Sequence, residues 1–304
     1  MILHKAFTMI ELIFVIVVMG IIGQFGAEFL AQSYNSFIFS KINNTLQSNS
    51  ATAVEFIASR LQHRNKDSVI VRTGETTVFT ALKNASGQAF TVLEWISIDE
   101  DNFRGTTTPN WSGIIDLNQG VASGDLFSPG TNTNTIDNVI SSLSYTKSGI
   151  DDAALFFIGA NTDINGYGWD GNGIGDQTSV MHPINDVSSD TTRFTPAVGN
   201  FTGVDIFEYY KLAWTANAIV MKNYDTGKYT GKSMGDLVFY YNYQPWDSDG
   251  EKFYDTDENI QHFTIMENVS TFQAMSIGSV IKIQVCTKSD IVEEYSLCKE
   301  KTIF

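Results

Sequence analysis

The stretch KAFTMIELIFVIVVMGII, residues 5–22, decides how the rest of this chain is read. It is apolar apart from Thr8 and two charges, Lys5 at its head and Glu11 inside it. From Leu12 the sequence carries no charge until Glu28. With Phe7–Ile10 added, the segment reaches about 20 residues, enough for a bilayer-spanning helix. An acidic side chain in such a helix costs roughly 2.5–3.5 kcal/mol at the bilayer centre, so Glu11 asks for a reason. Lys5 and His4 on the N-terminal flank leave that end cytoplasmic and everything after Glu28 on the outer side. A cleaved secretory signal is the alternative. Against it stand Glu11, where an apolar signal core should be uncharged, and the lack of a clean small-x-small site after the apolar run.

The helical pattern continues past the lipid-soluble part. Leu30, Tyr34, Phe37, Ile38, Ile42, Leu46, Val54, Ile57 and Leu61 recur at three- and four-residue spacing, and no Pro or Gly interrupts residues 27–66. One helix over 7–66 is expected, with residues 7–28 in lipid and 29–66 laying an apolar stripe on a sheet. Gly20, Gly23 and Gly26 fall at every third position of the lipid part. Small residues there let helices approach closely, and they also weaken the helix by about 1 kcal/mol each relative to Ala.

The opening residues, from Lys5 and Ala6 through Phe7, Thr8 and Glu11 to Leu12, resemble the class III signal of type IV pilins and type II secretion pseudopilins. The resemblance implies a leader of residues 1–6, cut by a prepilin peptidase between Ala6 and Phe7, and N-methylation of Phe7. The family usually carries Gly where Ala6 stands. The new α-amino group at Phe7 would then meet Glu11 of an adjacent subunit during filament assembly, each charge offsetting the desolvation of the other. A carboxylate that merely snorkels to the interface is the blander account of Glu11.

Beyond residue 66 the texture changes to short strand-like runs between Gly, Asn, Asp and Ser clusters: 68–72, 90–98, 153–158, 212–221, 236–243 and 280–285. In the last, Ile281, Ile283 and Val285 alternate with Lys282 and Gln284, as in a half-buried strand. Residues 117–150 and 159–203 read as loop-rich insertions. The expected fold is α+β and pilin-like: a long N-terminal helix on an antiparallel β head, residues 67–304. The segments 266–273, 278–286 and 299–304 look like the closing strands of larger minor pilins and J-type pseudopilins. Glu11 argues against a K-type subunit, which generally lacks that acid. Partners implied by the resemblance are the prepilin peptidase, other minor and major subunits, the inner-membrane assembly platform, and lipid before assembly. It also implies an inner-membrane protein with a periplasmic head that later joins a pilus or pseudopilus.

The head supplies several candidate sites. With 21 Phe, 12 Tyr and 5 Trp the chain can bury a sizeable core, and its net charge of −15 argues against direct nucleic-acid binding. The two cysteines, Cys286 and Cys298, fall on the oxidising side and predict a disulfide between two strands. Two acidic stretches are candidate calcium loops. In the first, Asp163, Asn165, Asp170 and Asp176 place oxygens around Gly166, but the frame lacks its first Asp and its closing Glu. The second, with Asp247, Asp249 and Glu251, is richer in carboxylates and has no such frame. A solvated turn is the alternative for each, and no other cofactor is indicated. GKSMG (231–235) matches a nucleophile elbow and TGKYTGKS (226–233) nearly matches a phosphate-binding loop, yet both precede a strand-like run where a helix is needed. No catalytic constellation emerges. The sequence therefore points to a minor pilin-like structural subunit without enzyme activity, or alternatively to a membrane-tethered binding or adhesion module displayed on such a filament.

Overall fold

The computed structural model describes residues 8–85, 89–119, 124–160, 162–256, 260–289 and 295–304. Helix α1 runs Met9–Gln62 without interruption, passing through Gly20, Gly23 and Gly26. The chain divides into two compact units between Asn49 and Ser50, so α1 contributes to both.

In the first unit α1 is long and apolar enough to cross a membrane, and none of its most apolar 18-residue window is buried. The expected stripe on a sheet does not extend into this part: Leu30, Tyr34 and Phe37 are exposed. The helical periodicity is real there, but it does not mark a buried face.

In the second unit the last turns of α1 bury Ala53, Val54, Ile57, Ala58 and Leu61. The helix stops at Gln62, four residues before the expected end at Lys66. Arg64 closes it: one guanidinium nitrogen donates to the Leu61 carbonyl at 2.6 Å, satisfying a helix-terminal acceptor, and another donates to the Ser279 carbonyl at 2.6 Å. Asn65 N–H then donates to the Ile96 carbonyl and starts the sheet.

The strands are β1 (Ile70–Arg72), β2 (Thr80–Ala81), β3 (Val92–Ser97), β4 (Leu126–Phe127), β5 (Ala154–Phe157), β6 (His182–Asp186), β7 (Arg193–Pro196), β8 (Tyr210–Ala213), β9 (Thr215–Lys222), β10 (Gly235–Tyr243), β11 (Gln261–Ile277), β12 (Val280–Lys288) and β13 (Ser296–Ile303). They form an eight-stranded sheet, β13-β12-β11-β10-β9-β3-β1-β2, and a five-stranded sheet, β4-β7-β6-β5-β8, with every pairing antiparallel. The architecture is α+β.

Side-chain alternation assigns the layers. On β3, β9 and β10, Leu93, Trp95, Ile219, Leu237 and Phe239 share a core with the end of α1. Their neighbours Val92, Ile96, Ala218, Val220, Val238 and Tyr240 enter a second core on the opposite face. The five-stranded sheet repeats the device: Ala154 and Phe156 join that second core, while Leu155 and Phe157 join a third.

Residues 117–150 and 159–203 are not simply loops. The first contains helix α3 (Thr133–Leu143), which follows the short helix α2 (Glu100–Arg104), and the second contains β6 and β7. The Asn132 side chain caps α3 by accepting from Thr135 N–H at 3.2 Å, and Ile136 and Ile140 bury its inner face. The polar composition of TNTIDNVISSL hides that helix, because a single buried stripe is all it needs.

Cys286 and Cys298 form a disulfide, as the sequence predicts. They are direct partners in the β12–β13 register, with Cα atoms 4.0 Å apart. The bond fastens an edge strand to the sheet. Reducing it, or replacing both cysteines with Ser, should lower unfolding free energy by about 3 kcal/mol in the chain-entropy account. Urea midpoints with and without reductant are the check.

Candidate functional site

The N-terminal site is built by a local cap. Glu11 Oε2 accepts from Thr8 N–H at 3.0 Å and from Thr8 Oγ1 at 2.9 Å, and Thr8 Oγ1 in turn accepts from Glu11 N–H at 3.4 Å. This is a reciprocal capping box, which satisfies donors at the start of α1 and places a negative charge at the positive end of the helix dipole. The Thr8-x-x-Glu11 spacing is the capping-box signature, a signal that weighing Glu11 only by its charge passes over. Both side chains are exposed. Lys5, Ala6 and Phe7 lie outside the described residues. A Cβ built on Gly20, Gly23 or Gly26 meets nothing within 4 Å, so among the described residues these glycines serve no packing.

The first acidic stretch does not converge on a point. Asp163 Oδ1 accepts from Asn165 N–H at 3.1 Å and Nδ2 at 3.0 Å, and Asp170 accepts from the backbone and side chain of Asn172 at 3.1 and 2.8 Å. Asp176 accepts from Thr178 N–H at 2.8 Å and Oγ1 at 2.6 Å. Each carboxylate caps its own turn. The glycines have a different task from the one a calcium loop gives them. A Cβ on Gly168 would lie 2.1 Å from the Pro245 carbonyl oxygen, and one on Gly173 would lie 2.0 Å from that of Asp247. The two acidic stretches, distant in sequence, therefore pack backbone against backbone.

Asp247, Asp249 and Glu251 do come together, with one oxygen of each within 4.8 Å of the others. Asp247 Oδ1 already accepts from Ser248 N–H at 2.6 Å and Glu251 Oε2 from Gln244 N–H at 2.8 Å. Three carboxylates supply only part of the six to eight oxygens calcium takes.

Arg72 on β1, in a buried ion pair with Glu94 on β3, fastens the glycine-rich loop of the first acidic stretch, residues 166–175, to the large sheet. Arg72 Nε lies 2.5 Å from Glu94 Oε1, Tyr243 donates its hydroxyl to Glu94 Oε2 at 2.9 Å, and the remaining Arg72 nitrogens donate to the carbonyls of Thr76 and Trp169 at 2.8 and 2.7 Å. Burial pushes the Glu94 carboxyl up, while Arg72 and the Tyr243 hydroxyl pull against it. Trp169 Nε1 completes the attachment by donating to the Ser68 carbonyl at 3.1 Å. These polar groups bind one another.

The elbow-like and phosphate-loop-like residues form the β9–β10 connection. Lys228 Nζ sits 3.1 Å from Glu267 Oε2 and 3.5 Å from Asp236 Oδ1, and Tyr229 donates its hydroxyl to Asp236 at 2.6 Å. Ser233 N–H donates to Asp225 Oδ1 at 3.2 Å, and β10 begins at Gly235. No helix follows to direct Ser233 outward or to cradle a phosphate.

His182 was not singled out by the sequence. It is buried, with Nδ1 3.2 Å from Gln177 Oε1, and the Gln177 amide donates to the carbonyls of Pro183 and Val198 at 2.9 and 3.0 Å. The Phe157 ring lies against it at 4.8 Å. Burial lowers its pKa to about 4. Burial also raises Asp99, which caps α2, to about 6. The two act oppositely on stability. The depressed His182 favours the folded state above the unfolded-state pKa near 6.5 and loses that contribution as pH falls toward 4. The raised Asp99 costs stability as pH rises from 3.8 toward 6. Comparing wild type with His182→Phe cancels the Asp99 contribution. The wild-type advantage should shrink by about 2 kcal/mol between pH 7 and pH 5, read from urea unfolding at each pH.

Comparison with protein-family models, with curated proteins and with solved structures gave no match.

Proposed function

We propose that the chain is a minor subunit of a type IV pilus-like or type II secretion filament, held in the membrane by α1 before assembly. The observation that carries this reading is the start of α1: a single carboxylate, Glu11, at the head of an unburied apolar helix attached to a disulfide-fastened β head. Its exposure leaves it accessible to the new α-amino group of a neighbouring subunit. Gly20, Gly23 and Gly26, which pack against nothing among the described residues, suit close approach of a second helix. The large head supports a low-copy position that primes or caps the filament, with the assembly platform and other subunits as partners. No catalytic role is proposed.

The test has two arms. Mass spectrometry of the mature chain should find an N-terminus at Phe7 carrying a methyl group. Glu11→Val should still reach the membrane and lose incorporation into filaments by tenfold or more. An intact residue 1–6 leader, or normal incorporation of the variant, would sink the reading.

Calcium belongs to this proposal only through Asp247, Asp249 and Glu251, the one place where the described residues gather three carboxylates. A calcium titration followed by amide resonances should perturb residues 247–251 and spare Asp163 and Asn165; no response at 247–251 removes calcium.

A further inference from the structure

One surface of the second unit combines a free cation with exposed aromatic rings. Arg60, on the last turns of α1, places its guanidinium carbon 5.5 Å from the centre of the Phe56 ring and 5.9 Å from that of Phe239. It is exposed, and among the described residues no carboxylate pairs with it. Around it the rings form a continuous cluster. Phe56 meets Phe239 at 5.1 Å and Phe263 at 5.6 Å, and Tyr241 stacks on Phe239 at 5.6 Å. Phe239 is buried and anchors the group. Phe263 is 43% exposed, while Phe56 and Tyr241 are partly so.

Tyr145 extends this surface at an energetic cost. It follows α3 with φ 54°, and Thr146 follows with φ 64°. Two successive non-glycine residues in the left-handed region, one of them β-branched, are held there against their own preference. The hold is identifiable: Tyr241 donates its hydroxyl to Gln261 Oε1 at 2.6 Å, and Gln261 Nε2 donates to the Ser144 carbonyl at 3.2 Å. Thr146 N–H also donates to the Ser141 carbonyl at 2.6 Å. The outcome is a Tyr145 that is 71% exposed and sits one residue beyond the Ser144 carbonyl that Gln261 holds, and so beside the Tyr241–Gln261 pair.

We infer that Arg60, Phe56, Tyr145, Tyr241 and Phe263 form a docking surface for a protein segment that presents a carboxylate beside an aromatic or large apolar side chain. Charge selects the partner. Arg72, Arg104 and Arg193 each face a carboxylate and Arg64 is buried against carbonyls, whereas the Arg60 guanidinium is exposed and its fork geometry matches a carboxylate. Its stacked position on Phe56 and Phe239 pre-orders it, so little rotamer freedom is lost on binding. Tyr and Arg are among the residue types that carry most binding energy in protein interfaces, and Phe is enriched there. The inference is independent of the filament reading, because it concerns residues 56–263 and not the N-terminus: an uncleaved leader would defeat that reading and leave this one standing.

The test uses the full chain in neutral detergent, with the peptide acetyl-Glu-Phe-Asp-Phe-amide as probe and its Gln/Asn counterpart as the uncharged control. Saturable shifts of the Arg60 Nε–Hε resonance are expected with the acidic peptide, at an affinity at least fivefold above the control. Arg60→Ala should reduce that affinity tenfold or more, Arg60→Lys should fall between, and Tyr145→Ala should weaken it several-fold. These side chains are exposed, and an unchanged melting temperature confirms an intact fold for each variant. Equal binding of the two peptides, undiminished binding by Arg60→Ala, or an Arg60 response to anionic-lipid nanodiscs and not to peptide would overturn the inference.

Discussion

Strands β3, β9 and β10 must be covered on both faces, and the second unit is organised around that requirement. Ile219 points to one core while Ala218 and Val220 point to the other, and the same alternation runs through Leu93 against Val92 and Leu237 against Val238. Leaving either face wet would expose several large apolar side chains, each worth about 1.5–3 kcal/mol on burial. The end of α1 covers one face. The glycine-rich loop and the five-stranded sheet cover the other. A sheet with only one coating could not carry this sequence.

That requirement explains where polar groups are buried. A second layer laid on a sheet brings backbone carbonyls with it, and buried carbonyls need donors. Arg72 meets this need by reaching Thr76 and Trp169 while its charge is balanced by Glu94. Such a pair is not a cheap source of stability, since removing either partner strands the other. Its value here is positional, because it holds the glycine-rich loop in the one place where Gly168 and Gly173 touch the Pro245 and Asp247 carbonyls. The first acidic stretch thereby acts as a cover for the sheet.

Legibility in the sequence followed the length and regularity of each signal. The apolar run after Glu11 and the alternation of Ile281, Ile283 and Val285 identify α1 and β12 from residues alone, and the compartment argument identifies the Cys286–Cys298 bond. Of the five-stranded sheet, the run 153–158 marks β5 and the run 212–221 touches the end of β8. Strands β4, β6 and β7 are two to five residues long and lie among polar turns, so neither periodicity nor composition lifts them above the surrounding loops. Helix α3 was hidden by Thr, Asn and Ser, and its cap at Asn132 was the missed signal. The stripe Leu30, Tyr34 and Phe37 misled for the opposite reason: periodic apolar residues show that a helix has a face, and say nothing of what covers it. The Arg60 cluster was invisible because its members come from α1, β10, β11 and the turn after α3, and only the fold assembles them.

The cap at Thr8 bears on how Glu11 would act in the proposed filament. Both Thr8 donors use the same carboxylate oxygen, Oε2. A carboxylate offers about four acceptor sites over its two oxygens. Oε1 therefore remains available to an ammonium group while the cap stays intact. Capping and intermolecular pairing need not compete: the cap orders the side chain in advance, and the rotamer entropy that a free glutamate would lose on pairing, up to about 2 kcal/mol, is already spent. In a bilayer before assembly the same cap would help a charged residue tolerate the membrane edge, because two donors partly replace its water. Thr8 thus positions Glu11 for the helix, and in the proposed filament the same cap would hold it for the contact with a neighbour.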